Sequence, residues 1–356
     1  MGTGPWTYKD PKWYYVTHSK GFCTELGINS IPTVDALKAM LDPSQYWPWQ
    51  DNDAWAYHDF PSKSHGIVAP FREAAETRYG VGANLEDFIR RMQMQNYTHH
   101  RVLFESFNSK MWQTCSGVFL WMSHPAWPSM VWQLYTSDYD PNASYFAAKK
   151  ACEPVHVQWD LIDDTVSVVN ASYDAFPQAT VKVVVCALDA TVLKTTVKTI
   201  DLAPSALLKP AKVEWADFAT HPVQFVKLEL RDKAGRLLSE NFYWQSDYEK
   251  PEQLRALETL PQVKLDCKVS VAPDRDETVV TVDLVNASKS VALMTHLVLR
   301  NAADDTRILP AYASDNYVSF LPGERKTITI RCITKDAPKT LAVSLDGWNI
   351  APVTLR

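Results

Sequence analysis

The texture of the chain changes abruptly after Glu153-Pro154, and no single layer of secondary structure accommodates both sides of that point. Before it, apolar residues recur at steps of three and four, interrupted by long loops rich in Trp, Pro and Asp. After it come short β-branched runs separated by turn signals. Tryptophan follows the same divide, with ten of thirteen lying before residue 160. At 356 residues the chain is also too long for one ordinary core. Two kinds of structure are therefore expected to share it.

In the first part, Lys20–Glu25 is a short apolar run ending in an acid, with Leu26-Gly27 as the turn that follows. Thr33 is placed to cap a helix carrying Ala36, Leu37 and Met40. Residues 42–65 form a long loop, and loops of that length in compact domains are usually functional. The longest helical pattern runs from Asn84 to Trp112, its stripe made by Leu85, Phe88, Ile89, Met92, Tyr97, Leu103 and Phe107. Gly117–Trp121 then reads as a strand buried on both faces, as in a parallel sheet. A loop over 122–140 precedes a helix at 144–151. This order fits the final third of a β/α barrel.

Beyond residue 155, strands are expected at 156–161, 165–172, 180–187, 211–215, 224–231 and 237–244, the last two joined by a hairpin at Asp232–Gly235. Residues 249–261 read as a polar linker. A second β-rich unit follows, with strands at 278–286, 292–300 and 326–334 and a turn at Leu321–Glu324. The domain division is thus 1–155, 156–248 and 262–356, with 249–261 between the last two.

Net charge is −5 without a basic stripe, which argues against a nucleic-acid partner. No apolar run approaches the roughly 18–20 residues that span a bilayer, and no membrane role is expected. The six cysteines lack C-x2-C spacing, so buried free thiols are expected and a metal site is not. No cofactor is expected. Asn96, Asn142, Asn170 and Asn286 satisfy N-x-S/T, a frequent chance match. Asp51–Asp53 reads as a solvated loop sooner than a calcium site, and His99-His100 as helix packing.

The chemistry points to a carbohydrate. A carboxylate ending a barrel strand faces the mouth where such barrels hold their active sites, and Glu25 has that placement. Trp121 ends the next strand. Aromatic rings stack on the C–H faces of sugars, so loop tryptophans such as Trp47, Trp49 and Trp127 are candidates for contact. His18, His58, His65 and His124 lie on loops within reach of a substrate.

Several motifs then resemble glycoside hydrolase family 2, in the branch of exo-β-D-glucosaminidases and β-mannosidases. They are Gly4-Pro5-Trp6, Gly21–Gly27, Ile31-Pro32-Thr33, Gly117–Trp121, Ala126–Ser129, Tyr145–Gln158, Ser314–Tyr317, Leu321–Glu324 and Gly347–Asn349. The resemblance implies the end of a (β/α)8 barrel, about strands seven and eight, followed by two immunoglobulin-like β-sandwiches. It implies a retaining mechanism with Glu25 as nucleophile, and substrate contacts by Trp6, Tyr8, Trp121, His124 and Trp127. Trp6 stands where relatives commonly have a Tyr, and Tyr8 is a candidate to take over its hydroxyl.

The acid/base of the family ends an earlier strand, so an N-terminal polypeptide completing the barrel is expected as partner, with the chain inert on its own. The expected ligand is a β-linked oligosaccharide or glycoside, a β-glucosaminide in preference to a β-mannoside. Alternatives are a β-mannosidase, exo or acting endo on the N-glycan core, and a non-catalytic carbohydrate-binding or scaffold fragment. The resemblance implies a periplasmic or secreted location.

Overall fold

A computed structural model describes residues 2–61, 67–338 and 340–356. His65 lies outside the described residues.

Three parallel strands open the fold: β1 (Gly2–Thr3), β2 (Gly21–Leu26) and β3 (Cys115–Leu120), hydrogen-bonded in that order. The expectation was two. A short helix, α1 (Pro11–Trp13), continues into a π-helical turn that ends at His18. Thr33 caps α2 (Val34–Met40) by accepting from Ala36 N at 3.2 Å. Residues 42–61, expected as open loop, contain α3 (Asp53–Tyr57), started by Asn52, whose side chain accepts from the amides of Ala54 and Trp55. Two more helices follow, α4 (Ala69–Tyr79) and α5 (Leu85–Asn108), and α6 (Ala143–Ala151) packs along α5.

The helix α5 organises the molecule. Its predicted stripe is buried throughout, but so are Gln93, Gln95, Asn96, His99, His100, Arg101 and Glu105 on its other faces. A helix buried all round belongs to the centre of a larger body. Burial pushes the pKa of His99 well down, and that of His100 down to about 3, so both are neutral packing groups.

The first sandwich pairs a sheet of order β10-β9-β6-β7 with one of order β4-β5-β8. Its strands are β4 (Val155–Trp159), β5 (Thr165–Asn170), β6 (Phe176–Ala187), β7 (Val192–Leu202), β8 (Ala206–Lys212), β9 (Val223–Arg231) and β10 (Leu237–Ser246). The second pairs order β11-β12-β16-β14 with β15-β13-β17-β18. It comprises β11 (Asp266–Asp274), β12 (Glu277–Val285), β13 (Ala292–Asn301), β14 (Tyr312–Ala313), β15 (Val318–Phe320), β16 (Arg325–Ile333), β17 (Leu341–Asp346) and β18 (Val353–Leu355). Each encloses an aliphatic core, around Val168, Val183 and Leu228 in one and Val282, Ile330 and Leu345 in the other.

Both sandwiches use the same corner. Asn170, the last residue of β5, and Asn286, just past β12, each begin an Asn-Ala-Ser triplet. The Asn170 amide donates to the carbonyls of Asp174 and Ala203 at 2.8 Å, and its oxygen accepts from Ser172 N and Oγ. Asn286 repeats this with Ser290 O and with Ser288 N and Oγ. Asn96 and Asn142 are likewise buried and bonded to backbone carbonyls. All four sequons are structural asparagines.

Segment 249–261 is a correction to the linker reading. Pro251–Thr259 forms a 3-10 helix with Leu254, Leu257 and Leu260 buried. Arg255 donates to Thr77 O and Glu76 O at the end of α4, and Trp348 Nε1 donates to Leu257 O at 2.9 Å. No disulfide joins the six cysteines, but Cys152 is exposed and Cys267 half-buried, against the expectation of buried thiols.

Where α5 meets the first sandwich, Glu105 accepts from Tyr243 Oη at 2.8 Å and Asn241 Nδ2 at 3.0 Å. His156, fully buried, lies between Glu105 Oε1 and Glu153 Oε2, each at 3.2 Å. Burial alone would lower the His156 pKa; hydrogen bonds to the two carboxylates outweigh it and raise the pKa.

Candidate active site

The carboxyl-terminal ends of the three parallel strands are laced together by backbone. Gly4 N donates to Glu25 O at 2.7 Å, Gly27 N to Pro5 O at 3.3 Å, and Trp121 N to Leu26 O at 2.8 Å. Gly4 has φ +69°, a conformation that favours glycine, and its peptide to Pro5 is cis, as is that between Trp121 and Met122. Gly27 is required sterically: a Cβ there would lie 1.8 Å from the carbonyl oxygen of Trp121. These contacts bring Trp6, Glu25 and Trp121 onto adjacent strand ends.

Register places Glu25 further. Cys23 pairs with Val118 and Leu26 with Leu120, so the ladder is irregular across Thr24 and Glu25. A bulge re-aims the side chain that it carries, and bulges concentrate beside active sites. Glu25 is partly buried and forms no ion pair among the described residues. It is also the only carboxylate in the three strands and the turns that end them, residues 2–6, 21–27 and 115–123. Two residues before it, Cys23 Sγ lies 3.4 Å from His18 Nε2, and His18 stacks on Trp13 at 5.2 Å. His18 thus supports the strand from behind.

Trp121 is 44% exposed at the end of β3. The loop that follows carries two ring clusters. His124 lies nearly parallel to Tyr135 and Tyr139, 5.1 Å from each, and the two tyrosine rings are themselves 6.3 Å apart. Its Nε2 is buried and lacks a hydrogen-bond partner among the described residues. Trp127 lies nearly parallel to His58 at 5.8 Å, and Tyr57 stands upright to both. His58 Nδ1 is fixed 2.6 Å from Pro128 O, and Met130 N donates to His58 O. Tyr57 and His58 were missed as a unit in the sequence, although both lie in the aromatic-rich loop.

Tyr8 packs against His99 and Phe71, and its hydroxyl accepts from Arg78 at 3.1 Å, so that hydroxyl is engaged away from the strand ends. His124 is held against its two tyrosines. Trp47 and Trp49 are half-buried against the core: Trp47 packs on Phe88 at 5.5 Å, Trp49 on Phe60 at 5.4 Å, with Arg72 over the Trp49 ring. Among the described residues no cluster of three or more His, Cys, Asp or Glu has the arrangement of a metal site, and Asp53 simply begins α3.

The arrangement, a single carboxylate on a bulged strand end with an exposed indole on the next strand, is suited to a sugar. Comparison with known proteins agrees in kind. The profile of the exo-β-D-glucosaminidase Ig-fold domain matches residues 241–350. The chain is 30% identical to an exo-β-D-glucosaminidase of Streptomyces avermitilis over 99% of its own length and 42% of that protein's. It is 26% identical to a mannosylglycoprotein endo-β-mannosidase of Lilium longiflorum, over 97% of this chain and 44% of that one. The exo-chitosanase CsxA of Amycolatopsis orientalis superposes with a TM-score of 0.91 at 28% identity, covering 99% of this chain and 45% of that one. A β-D-mannosidase of Dictyoglomus thermophilum shares the fold, with a TM-score of 0.72 at 18% identity, over 97% of this chain and 39% of that one. The chain spans less than half the length of these relatives. By sequence and fold together, the chain is similar over nearly its whole length to the C-terminal portion of exo-β-D-glucosaminidases, and it shares its fold with a β-mannosidase.

Proposed function

We propose that this chain is the nucleophile-bearing portion of a retaining β-glycoside hydrolase. The three parallel strands are then the end of a (β/α)8 barrel within residues 1–155, followed by immunoglobulin-like domains at 156–248 and 262–356. In the first step a Glu25 carboxylate oxygen attacks the anomeric carbon as the glycosidic bond breaks, leaving a glycosyl ester on Glu25. Water then hydrolyses that ester with the configuration retained. A second carboxyl must protonate the leaving oxygen and lie about 5–5.5 Å from the first. None lies on the three strand ends, so the acid/base is assigned to a complementary N-terminal portion.

The observation that carries the reading is Glu25 on its bulge, with Trp121 locked beside it through Gly27. The exposed Phe119 and Trp112 support a complementary portion, as do the outer edges of β1 and β3, which pair with no further strand among the described residues, since such edges and faces call for cover. Four further relatives bear the name exo-β-D-glucosaminidase. A CsxA structure holds PNP-β-D-glucosamine, which favours a β-glucosaminide here. The lily enzyme favours a mannoside as the second reading.

The test is hydrolysis of aryl β-D-glucosaminide and β-D-mannoside by the chain assembled with its complementary portion, before and after Glu25→Gln. The substitution is expected to reduce kcat by about a thousandfold or more. Undiminished turnover removes Glu25 from the mechanism. Inactivity of every assembled form favours the non-catalytic carbohydrate-binding reading.

A further inference from the structure

A cavity of about 120 Å3 lies where α5 meets the π-helical turn after β1 and the end of β10, and neither Trp6, Glu25 nor Trp121 lines it. Four of its lining side chains are more than nine-tenths buried and carry polar atoms with no hydrogen-bond partner among the described residues. These atoms are Tyr15 Oη, both amide atoms of Gln95, His99 Nε2 and Arg101 Nε. Buried polar groups without partners are costly, and four around one space call for a shared occupant. The aromatic walls differ, because their polar atoms are taken. Tyr243 Oη donates to Glu105, Trp244 Nε1 to Tyr79 Oη and Trp159 Nε1 to Asp164. Glu105 adds one more open valence to the lining. Its contacts with Tyr243, Asn241 and His156 all fall on Oε1, and Oε2 has Arg101 Nε at 3.9 Å, too far for a hydrogen bond.

Donors and acceptors select the occupant. Arg101 Nε only donates and Glu105 Oε2 only accepts, the Gln95 amide offers both, and so does the Tyr15 hydroxyl. A hydroxyl group donates and accepts at once, so it satisfies such pairs. Charge favours neither sign. The lining holds Arg78 and Arg101 against Asp10, Glu105 and Asp247. Asp10 accepts from Tyr248 Oη and Lys12 N, Glu105 faces His156, and Asp247 lies 3.6 Å from Lys250 Nζ. A charged ligand would leave its water shell without a counter-charge to spare. The volume equals roughly four times the ~30 Å3 share of one water, about the size of glycerol. We propose that this cavity binds a small neutral polyol, held by Tyr15, Gln95, Arg101 and Glu105 between the aromatic walls. Such an occupant joins α5 to the turn after β1 and to the first sandwich. Tyr248 already bridges that junction, its hydroxyl on Asp10 and its ring 3.4 Å from Lys12 Nζ. The proposal does not rest on the role of Glu25.

The test is a saturation-transfer NMR titration of the chain with glycerol and with two charged counterparts of similar size, glycerate and protonated 2-amino-1,3-propanediol. Glycerol is expected to bind saturably with a Kd of about 1–10 mM, and each charged counterpart about tenfold or more weakly. Gln95→Leu is expected to weaken glycerol binding at least about tenfold while leaving Tm unchanged or raised, because an unpartnered buried amide is removed. Tyr15→Phe is expected to weaken it about fivefold to tenfold. A glycerol signal that never saturates and is equal in wild type and Gln95→Leu means that the cavity holds water alone, and overturns the proposal. So does a charged counterpart that binds as tightly as glycerol. Loss of glycerol binding once the complementary portion is assembled also overturns it, because the cavity is then filled by protein. Glu25→Gln is expected to bind glycerol as wild type does, so failure of the glycosidase reading leaves the site standing, and failure of the site leaves Glu25 in its role.

Discussion

Replacing Gly27 with alanine tests how the strand ends are held. A Cβ at this position lies 1.8 Å from Trp121 O and 3.0 Å from its carbonyl carbon, both backbone atoms that no rotamer change can move. Relief needs a displacement of the Trp121 peptide relative to Gly27 by more than an ångström. That displacement breaks Trp121 N to Leu26 O and Gly27 N to Pro5 O, the bonds that lace the three ends. Overpacking of this kind costs about 1–3 kcal/mol, and each net hydrogen bond adds about 1 kcal/mol. The expected destabilisation is therefore about 3–5 kcal/mol. For a cooperative unit of 150–250 residues this lowers Tm by about 6–20 °C. The control is Gly235→Ala: that glycine has φ +83° in an open hairpin with no atom within 4 Å of a new Cβ, so only the left-handed backbone is penalised, by about 1–2 kcal/mol. Thermal unfolding followed by near-ultraviolet circular dichroism reads both. A Gly27→Ala chain as stable as Gly235→Ala refutes the packing argument.

Three further outcomes are expected. His156→Ala removes one partner of the buried Glu105, which keeps Tyr243, Asn241 and Arg101, and is expected to cost about 1–3 kcal/mol in denaturant unfolding. The raised His156 pKa means that its contribution is full below about pH 6.5 and is lost as pH rises through the folded-state value; His156→Gln should flatten that part of a stability–pH profile. Trp49→Ala is expected to destabilise by about 2–3 kcal/mol and Trp127→Ala by under about 1 kcal/mol, as compared in urea melts, since only the first ring packs against the core, on Phe60 and Phe88. Expression in a glycosylating secretory host should give an intact mass without glycans at Asn96, Asn142, Asn170 or Asn286, because all four amides are buried and bonded.

What was legible in the sequence was whatever local periodicity and caps encode. The helix α5 announced itself through its stripe and Asn84, and β2 and β3 through short apolar runs. Segments with a faint pattern were missed. Most residues of β7 and β11 are exposed, so Lys, Thr and Asp break the apolar alternation there. The helix α4 buries only Phe71, Ala75 and Tyr79, one residue per turn on an otherwise polar surface. The 3-10 segment buries Leu254, Leu257 and Leu260 at steps of three, a period that neither the α nor the β template detects. The same limit applied at the site. A Glu at a strand end is visible in sequence, but the bulge that carries Glu25 is a property of hydrogen-bond register with β3. The packing of Trp47 and Trp49 depends on Phe88 and Phe60, and the engagement of Tyr8 on Arg78, seventy residues away.

The most direct test of the central claim is covalent trapping. The chain, assembled with its complementary portion, is incubated with a 2-deoxy-2-fluoro β-glycoside bearing an activated leaving group, which slows hydrolysis of the glycosyl ester more than its formation. Peptide mass spectrometry is predicted to find one added fluoroglycosyl group on the fragment containing Glu25, and none after Glu25→Gln. A label on any other carboxylate, or an unlabelled Glu25 in an enzyme that has lost its activity to the reagent, contradicts the account.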